Sequence, residues 1–198
     1  MNAEMQPLFW RISQTKQQGI NAVSLLMPAA DAGQETELPT DVSFPSNSPD
    51  VSARDLRWSD EDSELFLDLV DRVIDLTSEP DIELDLTDDV VQGIVQLVAL
   101  RRFQTPKPLD EWLAEDVITE REELEVGDLV ALNTVAGKPM AIIVALDSID
   151  ATCILLEDLL QDKDSVVAPM HSVLMVNRLA VLPSAFAGSD YGEGATLH

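Results

Sequence analysis

Glu61, Glu64, Asp68, Asp71 and Asp75 follow one another at spacings of three, four, three and four residues. On a helix that spacing sets five carboxylates in one line, because positions three and four apart are surface neighbours. Such a line presents negative groups roughly 5 Å apart, close enough to phosphate spacing to occupy the basic groove of a nucleic-acid-binding protein. It is equally what the wet face of an amphipathic helix looks like in an acidic protein. Like charges at these spacings disfavour a helix by about 0.2–0.5 kcal/mol per pair. Only Arg72 is close enough in sequence to relieve them.

A second acidic run, DIELDLTDD over residues 81–89, poses the same choice between a metal site, a phosphate imitation and the lead-in to a helix. The apolar stretch VVQGIVQLVALRRF follows it directly. Thr87 is a good N-cap for that stretch, and Asp88 and Asp89 then face the positive end of the helix dipole while Arg101 and Arg102 face the negative end. Asp81, Glu83 and Asp85 alternate with Ile82, Leu84 and Leu86, the period of an extended segment with one wet side.

Metal and nucleophilic chemistry find little to work with. His171 and His198 are the two histidines, and Asp158, Asp162 and Asp164 lack the glycine and closing glutamate of a calcium loop, so neither a metal nor a cofactor is expected. Cys153 lies in the apolar run ATCILL, which predicts a buried, inert thiol. No G-x-S-x-G and no Gly-rich phosphate loop occurs. The expectation is a non-enzymatic protein.

The elements that must hold these residues follow from periodicity. SDEDSELFLDLVDRVIDL repeats Leu65, Phe66, Leu69, Val70, Val73 and Ile74 at helical spacing, opened by a cap of Ser59 with Asp62. A short third helix is expected at PLDEWLAED with Trp112 in the core, and one helical turn at EDLLQDKD. PLFWRIS and INAVSLLMP read as two strands and a turn, with a short helix as the alternative. The Phe9–Trp10 run is either a docking strand or a strand completing the C-terminal sheet, and the sheet is preferred because an unpaired apolar edge invites aggregation. From Pro28 to about Trp58, prolines among Ser, Asp, Gly and Thr read as a linker. LEVGDLVALNT, GKPMAIIVALDS, ATCILLE, SVVAPM and VLMVNRLAVLP are short strands at close spacing, as in a small bent sheet or barrel. The Gly-rich tail AGSDYGEGATLH reads as frayed.

Charge divides the chain. Residues 1–58 hold seven acids and four bases, 59–123 hold twenty and five, and 124–198 hold ten and three, so the middle third carries most of the net charge of −25. That field repels nucleic acid and anionic lipid and attracts basic partners. With 198 residues and 45% hydrophobic content the chain has the apolar surface for a core, and no stretch reaches the eighteen or so apolar residues of a spanning helix. A reducing cytoplasm fits a single cysteine. The three segments are therefore read as short strands with a Pro/Ser-rich linker, an acidic helical region, and a small β-rich unit with a frayed tail.

The order GDLVALNT, GKPMAIIVAL and VVAPMHS resembles the MazF/PemK-like ribonuclease toxins, an SH3-like barrel family, over about fifty residues. The resemblance implies an RNA-cleaving barrel or an inactive regulatory relative. Lys138 stands where that family places a catalytic arginine, and His171 or Ser172 stands near its hydroxyl position. GDLVALNTVAGKPMAIIV is also similar to the surface-presentation-of-antigens domain of flagellar and type III secretion switch proteins.

The sequence thus predicts an α+β protein with an acidic helical middle and a small C-terminal β-rich unit, SH3-like or similar. The expected function is binding of a basic protein surface as inhibitor, chaperone or adaptor, with DNA mimicry as its sharper form. A MazF/PemK-like barrel is the alternative.

Overall fold

In a computed structural model of the chain, the described residues are 7–15, 19–28, 35–45, 54–77, 89–114, 123–162 and 165–188. They form a mixed α+β structure with two α-helices and strands in three sheets. Most of DIELDLTDD, including Thr87 and Asp88, lies outside the described residues, as do Asp164 and the Gly-rich tail from Ser189 onward. The chain divides into two compact units, Met1–Gln104 and Thr105–His198.

In the first unit β1 (Phe9–Gln14), β2 (Ile20–Pro28), β3 (Glu35–Pro45) and β4 (Arg54–Arg57) form an antiparallel sheet in the order β3-β2-β1-β4. The Phe9–Trp10 run therefore joins its own neighbours rather than the C-terminal sheet. A hairpin to the next strand closes a short loop, a smaller entropic cost than a distant pairing. β3 occupies part of the stretch that composition assigned to a linker. Its prolines are tolerated because it is an edge strand, and Pro39 faces Ser24 beside a register shift of β2. Val42, fully buried, anchors it.

One sheet face carries Trp10, Ile12, Val23 and Leu25, all buried. α1 (Asp60–Thr77) turns Leu65, Leu69 and Val70 inward, and α2 (Asp89–Phe103) buries Val91, Ile94, Val95, Val98, Ala99 and Leu100. α1 packs on α2, and α2 on β3. An aromatic cluster joins them: Trp10 stacks on Trp58 at 4.8 Å and meets the edge of Phe103 at 5.6 Å, while Phe66 approaches Trp58 at 6.2 Å. On the opposite face the Arg11 guanidinium donates two 3.0 Å hydrogen bonds to Asp55 and lies 3.6 Å from Glu35. That bidentate pairing holds the Asp55 carboxyl below its ordinary range.

The start of α1 is fixed as its sequence predicts. The Asp62 N–H donates to Ser59 Oγ (3.1 Å) and the Ser59 N–H donates to Asp62 Oδ2 (2.9 Å), a reciprocal box with aspartate in place of the usual glutamate. The shorter acid has a second task here. Asp62 is buried, and its Oδ2 also accepts the Trp10 indole N–H at 3.1 Å.

In the second unit β5 (Lys107–Pro108), β6 (Leu129–Leu132), β7 (Met140–Leu146), β8 (Asp150–Leu155), β11 (Val173–Asn177) and β12 (Val181–Pro183) form a sheet in the order β12-β6-β7-β8-β11-β5. Neighbours are antiparallel except β5 beside β11. Among the described residues no pairing joins β12 to β5, so the sheet is not a closed barrel. Between β8 and β11 the chain makes a separate two-stranded ribbon of β9 (Leu159–Asp162) and β10 (Ser165–Ala168). The helical turn expected at EDLLQDKD is thus a strand, with Leu159 inside and Leu160 outside.

Of the expected third helix, Glu115 and Asp116 lie outside the described residues, and the described part is one 3₁₀ turn, Asp110–Trp112. Its preceding residues are held extended, since the Leu109 N–H donates to the Met175 carbonyl (3.1 Å) and β5 lies along β11. Leu109 joins a core of Val130, Leu132, Ile143, Cys153, Leu155 and Leu174, and Trp112 is half-buried against it. Ile142, Ile154 and Val173 on the other face are also buried, which accounts for the continuous apolar runs of these strands.

The Gly-Asp pair opening β6 is turn chemistry. Gly127 adopts φ 90°, which favours glycine, and Asp128 Oδ2 accepts the Glu125 N–H at 2.8 Å to close the turn.

Candidate functional site

α1 is 18 residues, about 27 Å, long. Glu61, Glu64, Asp68, Asp71 and Asp75 are all exposed, whereas Leu65, Leu69 and Val70 are buried. The line from Glu61 to Asp75 runs about 21 Å along the helix. Its N-terminal end is partly balanced, with Arg102 of α2 lying 3.8 Å from Glu61. Asp62 is excluded from the surface by its structural role.

The electrostatics of the two helix ends differ. Asp60, Glu61 and Asp62 in the first turn face the positive end of the dipole. The last turn carries no base, and Asp75 there faces the negative end, an arrangement that typically costs 0.3–1 kcal/mol, roughly, at an exposed site. Together with the like-charge spacing, the C-terminal half of the line is acidic against the preference of its own helix.

One surface feature escaped the sequence reading. Leu67 is 57% exposed, three residues after Glu64 and four before Asp71, among the carboxylates. The signal was available in its position, since Leu67 falls outside the buried series of Leu65, Leu69 and Val70.

The residues singled out in the second unit lie at one end of the sheet. Lys138 precedes β7 by two residues, and His171 and Ser172 immediately precede β11. β8 separates those strands, so the two backbones stand about 9.6 Å apart, two strand spacings. The His171 N–H donates to the Leu155 carbonyl (2.8 Å), and the Ser172 carbonyl accepts the Leu155 N–H (3.1 Å). The Ser172 N–H closes a turn on the Pro169 carbonyl at 3.1 Å, with His171 at φ 68°. The Lys138 ammonium sits 5.5 Å from the centre of the Phe186 ring. Two nearby carboxylates accept backbone donors: Glu157 from Met140 (2.7 Å) and Asp158 from Met170 (2.6 Å). At this end, Lys138 is held over an aromatic face and His171 serves a tight turn.

Cys153 is buried in the core of the second unit, and burial pushes its thiol up to about 12. Among the described residues no group of three or more His, Cys, Asp or Glu could hold a metal ion, and no helix is long and apolar enough to cross a membrane.

No protein-family model matches the chain, and no curated protein matches it significantly. A functional reading therefore rests on the arrangement of the residues themselves.

Proposed function

We propose that the chain is a non-enzymatic acidic interaction protein that binds a basic protein surface through Glu61, Glu64, Asp68, Asp71 and Asp75, as an inhibitor, chaperone or adaptor. The observation that carries this reading is the exposure of all five carboxylates on one face of α1, combined with an acid and no base in its last turn. Fold stability disfavours that arrangement, so a role outside the fold is its simplest account. Leu67 favours a protein partner over plain phosphate mimicry, because an exposed leucine among charges can seat in an apolar socket. A reducing cytoplasm suits a chain whose one cysteine is a buried free thiol.

Binding through this face is steeply salt-dependent. In a pull-down from the native lysate, a basic partner is expected to elute between about 50 and 500 mM salt. It is expected to be lost from a Glu64→Gln, Asp68→Asn, Asp71→Asn variant, a change of roughly tenfold or more in affinity. Retention that ignores both salt and the three substitutions rules the reading out.

A second reading takes the C-terminal unit as a small SH3-like barrel of the MazF/PemK-like kind, acting on RNA or retained as an inactive regulator. Its support is the consecutive pairing of β6, β7, β8 and β11, with Lys138, His171 and Ser172 at one end of them. It predicts RNA cleavage that falls about a hundredfold or more in Lys138→Ala, the range of a lost electrostatic catalytic group. Intact RNA after prolonged incubation with the unaltered chain removes it.

A further inference from the structure

The β9–β10 ribbon presents a surface that its own unit leaves open. Leu160 and Val166 are direct cross-strand partners, 39% and 51% exposed, while Leu159 and Ala168 of the same strands are buried in the core. Met170, 50% exposed, continues the apolar strip toward the base of the ribbon, where its N–H meets Asp158. Among the described residues no strand pairs with the outer edge of β9 or of β10. Two exposed carboxylates, Glu157 and Asp158, flank the strip. Each accepts one backbone hydrogen bond and has further lone pairs for a cation.

We propose that this ribbon is a docking edge for an extended, basic segment of a partner protein, added as a further strand. An unpaired edge supplies backbone donors and acceptors to any extended chain, and outward side chains on the adjoining face select alternate residues of it. Here the outward side chains are aliphatic and the flank is anionic, so the segment that fits alternates β-branched residues with lysine or arginine. A second copy of this chain fits poorly, because it would set Glu157 and Asp158 of one copy near the same carboxylates of the other within a protein of net charge −25. This surface belongs to the second unit and uses none of the residues of the α1 carboxylate line.

The test uses the full chain and two capped peptides of equal charge, Lys-Val-Lys-Val-Lys-Val-Lys and the same peptide with its central valine replaced by proline. Proline removes a backbone donor and resists strand pairing, leaving the charge unchanged. Calorimetric titration is expected to show the valine peptide binding at least about tenfold more tightly than the proline peptide. Leu160→Ser with Val166→Ser is expected to abolish that difference, as is Val166→Lys, which alters an exposed position and repels the cationic peptide. The Glu64→Gln, Asp68→Asn, Asp71→Asn chain is expected to retain it. Equal binding of both peptides, or a preference lost only in the α1 variant, overturns the proposal in favour of nonspecific attraction. Absence of binding by the valine peptide also overturns it. Self-association in sedimentation that the Leu160/Val166 double variant abolishes assigns the edge to a second copy instead.

Discussion

Trp10→Ala is expected to destabilise the chain by about 3–5 kcal/mol, the range for deleting a large aromatic from a packed core. Trp10 is fully enclosed in the first unit, at 0% exposure. Its ring is a junction between elements: it stacks on Trp58, meets Phe103 of α2 edge-on, and donates its indole N–H to Asp62 in the cap of α1. Alanine removes all three contacts and leaves a buried carboxylate with one donor fewer. Trp10→Phe separates the contributions, because it keeps most of the packing and deletes only the donor. Its expected cost is about 1–3 kcal/mol, the penalty for an unmet buried hydrogen bond, and therefore smaller than that of alanine. Urea unfolding followed by the fluorescence of the two remaining tryptophans, Trp58 and Trp112, reads both values in the full chain. If Trp10→Ala unfolds within about 1 kcal/mol of the unaltered protein, Trp10 does not organise this core.

The parts of this fold visible in the sequence are those whose signal is local. α1 has an uninterrupted 3–4 spacing, a cap and a single apolar stripe, so both its existence and its buried face follow from residues 59–77 alone. β1 and β2 are likewise a hairpin of adjacent apolar runs. β3 was hidden by its prolines, whose meaning depends on whether the strand is an edge, and sequence does not record that. The short helix expected at PLDEWLAED was displaced by tertiary pairing: a bond from Leu109 to Met175 and the two residues of β5 hold the approach extended. Local propensity is weak enough for one strand partner to override it.

The candidate sites divide in the same way. The carboxylate line is a property of one helix and was readable, but Leu67 becomes notable only when burial shows that no neighbour covers more than part of it. Lys138, His171 and Ser172 were singled out by a resemblance, and their common sheet end depends on β8 lying between β7 and β11. The Gly-Asp pair that contributed to that resemblance is explained by Gly127 and Asp128 forming a turn, so it bears on fold more than on chemistry.

Cys153 is expected to be inert in the native protein and to give the chain a weakness in alkali. The thiol is fully enclosed by apolar side chains of the second unit, and desolvation lifts it from its ordinary value of 9.0 to about 12. At any pH below 9 that shift lowers the thiolate fraction roughly a thousandfold, and enclosure excludes reagent as well, so labelling at neutral pH must wait for the chain to open. Alkylation is therefore expected to slow by at least about three orders of magnitude relative to the urea-unfolded chain. The same shift fixes the pH dependence of stability. Between about 9 and about 12 the unfolded chain releases the proton that the folded chain keeps, so stability falls as pH rises through that window. The slope contributed by this one group approaches about 1.4 kcal/mol per pH unit. Lysine and tyrosine titrate in the same range, and Cys153→Ala isolates the cysteine because it removes only that slope. Urea midpoints of the two proteins are expected to converge as pH is raised from 9 toward 12. Parallel midpoints across that range, or rapid alkylation of the folded chain at pH 7, would mean that the β-sheet core opens around Cys153 far more readily than its burial implies.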